Sequence, residues 1–267
     1  MPHLRLVTLA TACLLAPTFL AAQDRQTQRD AFTMSERVPD GQWIRVRNLN
    51  GDVRVHASTS DKVEISATKS WRRGDPKDVR IEMRKSSDGS ILVCALWAAN
   101  ATCSETGYDS HDDNRTRRRD NDVSVSFDVR VPRGVRVGAW SVNGGVSVEG
   151  VTSEVRAATV NGGVDATSTG GPVQASTVNG SVHATMGRLE GNQDLTYSTV
   201  NGSIVAEFTG DMDADVELTT VNGRFQTDWP VTITGRIDPR HLHATLGRGG
   251  RRIRLSTVNG NVELKKR

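Results

Sequence analysis

The sequence predicts an all-β chain, with a parallel β-solenoid (β-helix-like) repeat region of about 20 residues per coil behind non-repeating strands and almost no helix. Three observations predict it. Val-Asn-Gly, usually behind Thr, recurs at Ser141-Val-Asn-Gly144, Thr159-Val-Asn-Gly162, Thr177-Val-Asn-Gly180, Thr199-Val-Asn-Gly202, Thr220-Val-Asn-Gly223 and Thr257-Val-Asn-Gly260, with successive glycines 18, 18, 22, 21 and 37 residues apart. Apolar and polar residues alternate along most segments, and no window carries a helical period. Aromatics are only 4% and hydrophobics 36%, beside 25 glycines. A thin core of Val, Ala and Thr manages with that composition, whereas a conventional sandwich of this length wants more.

Residues 1–22 read as a secretory signal: Arg5 gives the positive end, Leu6 to Leu20 the apolar stretch, and Ala21-Ala22 the small residues at the cut. The apolar run is too short to span a bilayer, and no stretch of the mature chain is long and apolar enough to do so. Around Cys13, Ala10-Thr11-Ala12 lacks the large aliphatic residue of a lipidation site. The chain is therefore expected to be exported to the periplasm, the cell surface or the medium. The formal charge is +3, and +2 once Arg5 is removed, which argues against a nucleic-acid partner. Cys94 and Cys103, nine positions apart, are expected to form a local disulfide in that oxidising compartment.

Residues 23–40 are polar and irregular and are expected to be a flexible lead-in. Residues 41–140 form an N-terminal β region: Trp43–Arg47, Asp52–His56, Lys62–Thr68, Val79–Arg84 and Ser90–Cys94 alternate as half-buried strands, punctuated by turns at Asn50-Gly51 and Asp88-Gly89. A charged loop, 99–122, interrupts them. Its Asp109, His111, Asp112 and Asp113 are cation-ligand types, but their spacing matches no calcium loop. Arg115 and Arg117 to Arg119 are interleaved with acids, as in a solvated loop. Alternation resumes at Val123–Val131 and leads without a linker into the repeats, 141–267, whose charged end Leu264-Lys-Lys-Arg267 is expected to guard one open edge.

Within each repeat, apolar residues stand two and four positions after the Gly, as at Val164 and Ala166 or Val182 and Ala184. A second apolar register lies five positions before it: Ala139, Ala157, Ala175, Tyr197, Leu218 and Leu255. A straight strand cannot bury both that register and the Val before Asn. Either the backbone bends there or the Val packs outward. The last, double-length gap reads as two periods, because His241–Arg248 matches Ser181–Arg188. Pro239-Arg240 then replaces Asn-Gly, and a common register would place His183 beside Asp165 and His243 beside Glu263.

Two architectures satisfy this pattern. Asn-Gly between alternating runs is a hairpin signal, giving an antiparallel meander. Alternatively Asn143-Gly144, Asn161-Gly162, Asn179-Gly180, Asn201-Gly202, Asn222-Gly223 and Asn259-Gly260 are solenoid corners, with Gly at a positive φ. Identity at matched positions favours the solenoid, where each residue sits about 4.8 Å above its counterpart and stacked Thr and Asn can bond in ladders.

Phe127-Asp-Val-Arg-Val-Pro-Arg-Gly-Val135, followed by serial Val-Asn-Gly-x-Val-x-Ala units, resembles the DUF4097 family. The resemblance spans roughly Trp43 to Glu263. It implies an extracytoplasmic β-strand repeat protein and candidate adhesin, with no catalytic residues to carry over.

The pattern supplies no cofactor site and no metal set. His241 and His243 read as a solvated pair, and Trp140 and Trp229 as core caps rather than sugar platforms. The leading function is a noncatalytic structural or adhesive module. Its partner would be a cell-surface polymer, an envelope protein or another copy. An envelope-stress scaffold is the alternative, and a polysaccharide-active enzyme built on Asp165 and Glu263 the third.

Overall fold

A computed structural model describes residues 28–98, 100–109, 121–187, 192–232, 238 and 240–267. The signal segment and residues 110–120 lie outside these, and so do His111, Asp112, Asp113 and the arginines of the charged loop. Among the described residues no helix is long and apolar enough to cross a membrane. The only helical turn described is 3-10, Pro76–Asp78.

The strands are β1 (Gln28–Glu36), β2 (Trp43–Arg47), β3 (Val53–Ala57), β4 (Val63–Trp71), β5 (Arg80–Lys85), β6 (Ile91–Leu96), β7 (Thr102–Cys103), β8 (Tyr108–Asp109), β9 (Ser124–Val131), β10 (Arg136–Trp140) and β11 (Val146–Val151). They continue as β12 (Val155–Ala158), β13 (Val164–Ser168), β14 (Val173–Ser176), β15 (Val182–Met186), β16 (Leu195–Ser198), β17 (Ile204–Phe208), β18 (Ala214–Thr219), β19 (Phe225–Thr227), β20 (His241–Leu246), β21 (Arg251–Ser256) and β22 (Val262–Lys266). Two ten-stranded sheets contain all but β7 and β8. Sheet I runs β1-β4-β9-β3-β11-β13-β15-β17-β22-β19, and sheet II runs β20-β18-β21-β16-β14-β12-β10-β2-β6-β5. The chain crosses from sheet II to sheet I at each Asn-Gly corner, and neighbouring coils pair in parallel: Val164 opposite Val182, Ala166 opposite Ala184. This is the solenoid, not the meander.

Both apolar registers point between the sheets. Val182, Ala184, Ile204 and Ala206 from sheet I meet Ala175, Leu195, Tyr197 and Leu255 from sheet II in one buried cluster. Each fully buried Val contributes roughly 1.5–3 kcal/mol. The Val before each Asn packs outward, with Val160, Val178, Val200, Val221 and Val258 between 38% and 47% exposed.

The corners are held by two ladders. Each Thr is buried and donates its hydroxyl to the Gly carbonyl of the coil before it in the stack, as Thr177 does to Gly162 at 2.8 Å and Thr199 to Gly180 at 2.8 Å. In the stacking order Asn143, Asn161, Asn179, Asn201, Asn259, Asn222, each Asn after the first donates its side-chain N–H to the side-chain oxygen of the Asn before it, at 2.7–2.8 Å. Glycine is required here by contact as well as by backbone conformation, since Gly144, Gly180, Gly202 and Gly260 take the expected positive φ. The φ of Gly180 is +155°, a conformation L side chains rarely adopt, and a Cβ there would stand 2.0 Å from the Gly162 carbonyl oxygen.

Four expectations are corrected. The stack has another corner at Asn50-Gly51, read from sequence as a tight turn: Asn50 bridges Asn143, and Asn48 takes the Thr place. Residues 28–36 of the supposed flexible lead-in form β1, pairing antiparallel with β4 from Gln28–Trp71 to Glu36–Val63. Short side chains such as Ala31, Thr33 and Ser35 let it lie along the edge.

His241–Leu246 is not a further coil. It forms β20, antiparallel to β18, so His243 faces Glu217 rather than Glu263, and Glu263 faces Val205 and Gln226. Arg240 offers neither the ladder amide nor the bare Cα that a corner needs. Finally, the C-terminal Leu264-Lys-Lys-Arg267, expected to guard an edge, belongs to an inner strand. β22 lies between β17 and β19, so the last coil (β21, β22) is inserted ahead of the coil made by β18 and β19. The exposed edges are closed instead by β1 and β5 at one end and by β19 and β20 at the other.

Candidate functional site

The outer face of sheet II carries the densest chemistry. β6 is buried on both sides, because Leu92, Cys94 and Leu96 point outward and are covered by a flap of residues 97–98 and 100–109. Cys94 and Cys103 are disulfide-bonded, with Cα atoms 6.4 Å apart, and β7 pairs with β8 inside the flap. Arginines from the sheet hold it down. Arg80 donates to the Ala98 and Ala101 carbonyls (2.7 and 2.6 Å), Arg84 to Cys103 O (3.3 Å), Arg45 pairs with Glu105 (3.2 Å), and Arg47 donates to the Glu105 carbonyl. Burial pushes the Tyr108 phenol well above its ordinary pKa and lowers that of Arg47.

Next to the flap, Trp43 is only 7% exposed and lies beneath Arg45, Arg156 and Arg136, at 4.8, 4.9 and 5.8 Å from its ring centroid. Glu154 pairs with Arg156 at 2.8 Å. Arg156 and Arg136 are thus engaged with one aromatic and one buried acid, and Arg45 with the same ring and Glu105. Trp140 lies half-buried over Gly138, where a Cβ would stand 2.4 Å from the ring, and Arg47 covers it at 4.4 Å.

Beyond Trp140 the face becomes smooth. The pairings set Trp140, Ala158, Ser176, Ser198, Ser256, Thr219 and His241 side by side across six strand spacings. At about 4.8 Å each this makes a half-exposed trough of small side chains roughly 29 Å long between Trp140 and His241, with the hydroxyls of Ser176, Ser198, Ser256 and Thr219 along about 14 Å of it. The exposed valines run beside it as an apolar ridge, because Val178 follows Ser176 by two residues and shares its side of the strand. Sequence reading had the Val–Asn–Gly spacing but missed the trough. Its signal was the small residue before each Thr: Ala158, Ser176, Ser198, Thr219 and Ser256.

The enzyme reading gains no pair. Asp165 and Glu263 lie on sheet I, three strand spacings apart, roughly 14 Å. The two carboxylates of glycoside hydrolysis stand about 5–9.5 Å apart. Asp165 instead faces His183, whose Nδ1 lies 3.4 Å from it. Trp229 is buried, packed edge-on against Phe208 with centroids 6.1 Å apart, so only Trp140 of the two candidate platforms reaches the surface.

Stacked coils that share a two-sheet core, with Asn and Thr ladders along one corner, define a parallel β-solenoid. The profile of the Toastrack DUF4097 family matches residues 37–265, and the chain belongs to that family. Among solved structures, a candidate cell adhesion protein from Clostridium sporogenes has the same fold at 7% identity and TM-score 0.50, over 91% of this chain and 100% of that one. A candidate adhesin from Bacteroides fragilis aligns at 12% identity and TM-score 0.38, over 89% and 97% of the two chains. One from Parabacteroides merdae aligns at 13% and 0.25, over 89% and 96%. No curated protein matches significantly.

Proposed function

We propose that the protein is a noncatalytic, exported binding module of the cell envelope or surface that holds an extended surface polymer along the outer face of sheet II. The observation that carries this reading is the trough between Trp140 and His241, with its row of hydroxyls and the valine ridge beside it. Hydroxyls at strand spacing can bond successive units of a polymer, while the ridge and Trp140 meet its apolar faces. The disulfide supports an oxidising compartment, and the adhesion descriptions of the Clostridium and Bacteroides proteins agree with a binding role.

Retention of purified protein on isolated envelope polysaccharide tests it. Ser198→Arg, which fills the trough from a half-exposed position, and Trp140→Ala should each weaken retention at least tenfold while leaving the melting curve in place. Equal retention of both variants and the parent protein would remove the trough from the binding role.

A further inference from the structure

We propose that Glu217, His241 and His243 form a binding site for a divalent transition-metal ion such as Zn²⁺, clipping the outermost strand of sheet II to its neighbour. The antiparallel register of β18 and β20 places Glu217 directly opposite His243 and Thr219 opposite His241. All three potential ligands point outward from the sheet. One ligand atom from each lies within 4.8 Å of the others. The two Nε2 atoms are 2.7 Å apart, and His241 Nε2 is 3.8 Å from Glu217 Oε1. Tetrahedral ligands at Zn–N distances of about 2.0–2.1 Å stand roughly 3.3 Å from one another. Small side-chain rotations at a half-exposed surface therefore close a sphere around one ion, and water completes it.

The surrounding groups prepare the ligands. His241 Nδ1 lies 3.0 Å from Thr219 Oγ1; as the Nδ1–H tautomer it donates there and leaves the Nε2 lone pair for a metal. Arg254 donates to Glu217 Oε2 from Nε (2.9 Å) and from its terminal nitrogen (2.7 Å), so Oε1 is left facing the imidazoles. Without an ion, the two neutral imidazoles can satisfy this contact only by sharing a single proton, and protonating both sets two cations against each other. A metal accepts both lone pairs at once. Two imidazoles and one carboxylate with an open position suit Zn²⁺, Co²⁺, Ni²⁺ or Cu²⁺ and not the all-oxygen preference of Ca²⁺ or Mg²⁺.

The site does not rest on the polymer-binding reading. It is tested by equilibrium titration of Zn²⁺ against a chromogenic chelator with the full-length protein, and by Co²⁺ absorption spectra. The expected result is one Zn²⁺ per chain and tetrahedral-type Co²⁺ bands. His243→Ala, at an exposed position, should weaken Zn²⁺ at least a hundredfold, and Glu217→Gln about tenfold or more. His241→Gln provides a second imidazole deletion that keeps a polar group near Thr219. Far-UV circular dichroism monitors folding of each variant. No stoichiometric uptake by the parent protein, or uptake unchanged in both folded His variants, overturns the proposal. Ca²⁺ competing as well as Zn²⁺ overturns it too.

Discussion

Replacing Gly180 by Val tests the corner directly. Its Cβ would lie 2.0 Å from the Gly162 oxygen, 2.5 Å from the Gly162 carbon and 3.0 Å from the Gly163 nitrogen, all backbone atoms that no side-chain rotation can clear. Ordinary contact begins near 3.4 Å, so the two coils must part by about 1.4 Å at this point. Three hydrogen bonds span the gap: Gly162 N–H to Asn179 O (3.0 Å), Val164 N–H to Ser181 O (2.9 Å) and Thr177 Oγ1–H to Gly162 O (2.8 Å). Such a displacement takes them out of bonding range, at about 1 kcal/mol each. The expected loss is therefore about 3 kcal/mol, within the range measured for overpacked interiors. For a chain of this size it lowers the melting temperature by roughly 6–12 °C.

The adjacent Gly163 is the control. Its Cβ would meet nothing closer than Ser181 O at 3.6 Å, and its φ is not positive. Gly163→Ala should hold or raise stability by up to about 1 kcal/mol through the unfolded chain. Chemical denaturation monitored by far-UV circular dichroism gives both values. Coincident midpoints for the two variants would show that close coil approach does not set the glycine requirement.

Two further outcomes are expected. Reducing Cys94–Cys103 frees a nine-residue loop and should cost roughly 2–3 kcal/mol on the chain-entropy estimate, read as a lower melting temperature under reductant; an unchanged melt would show that the arginines alone secure the flap. Asp122 accepts hydrogen bonds from the backbone N–H groups of Gly74, Arg73 and Arg72, and these hold its carboxyl below the ordinary 3.8. A depressed carboxylate pKa contributes stability above the unfolded value and loses it as pH falls through the folded one. Parent and Asp122→Asn stability curves should therefore converge below about pH 4, and parallel curves down to pH 2 would refute the assignment.

The corners were legible because their chemistry is local: a Thr, an Asn and a Gly at fixed spacing state a buried hydroxyl, a side-chain ladder and a bare Cα. Asn48-Leu-Asn-Gly51 escaped notice because Asn48 does the work of Thr with an amide, bonding the Gly51 and Val125 carbonyls. The order of the coils was not legible for the opposite reason. Identical corners are interchangeable, so Asn259 fits equally against Asn201 or Asn222, and in the fold it bonds both. What decides is the non-repeating part: β20 pairs antiparallel with β18, and the edge it takes cannot also receive the last coil. The trough was legible only once parallel stacking was known, since its small residues are unremarkable one at a time.

Insertion of the last coil has a mechanical consequence. A load applied through the C-terminus falls on β22, which is bonded to β17 on one side and β19 on the other along the direction of pull. Rupture then requires both rows to slide and fail together, rather than one outer strand peeling away bond by bond.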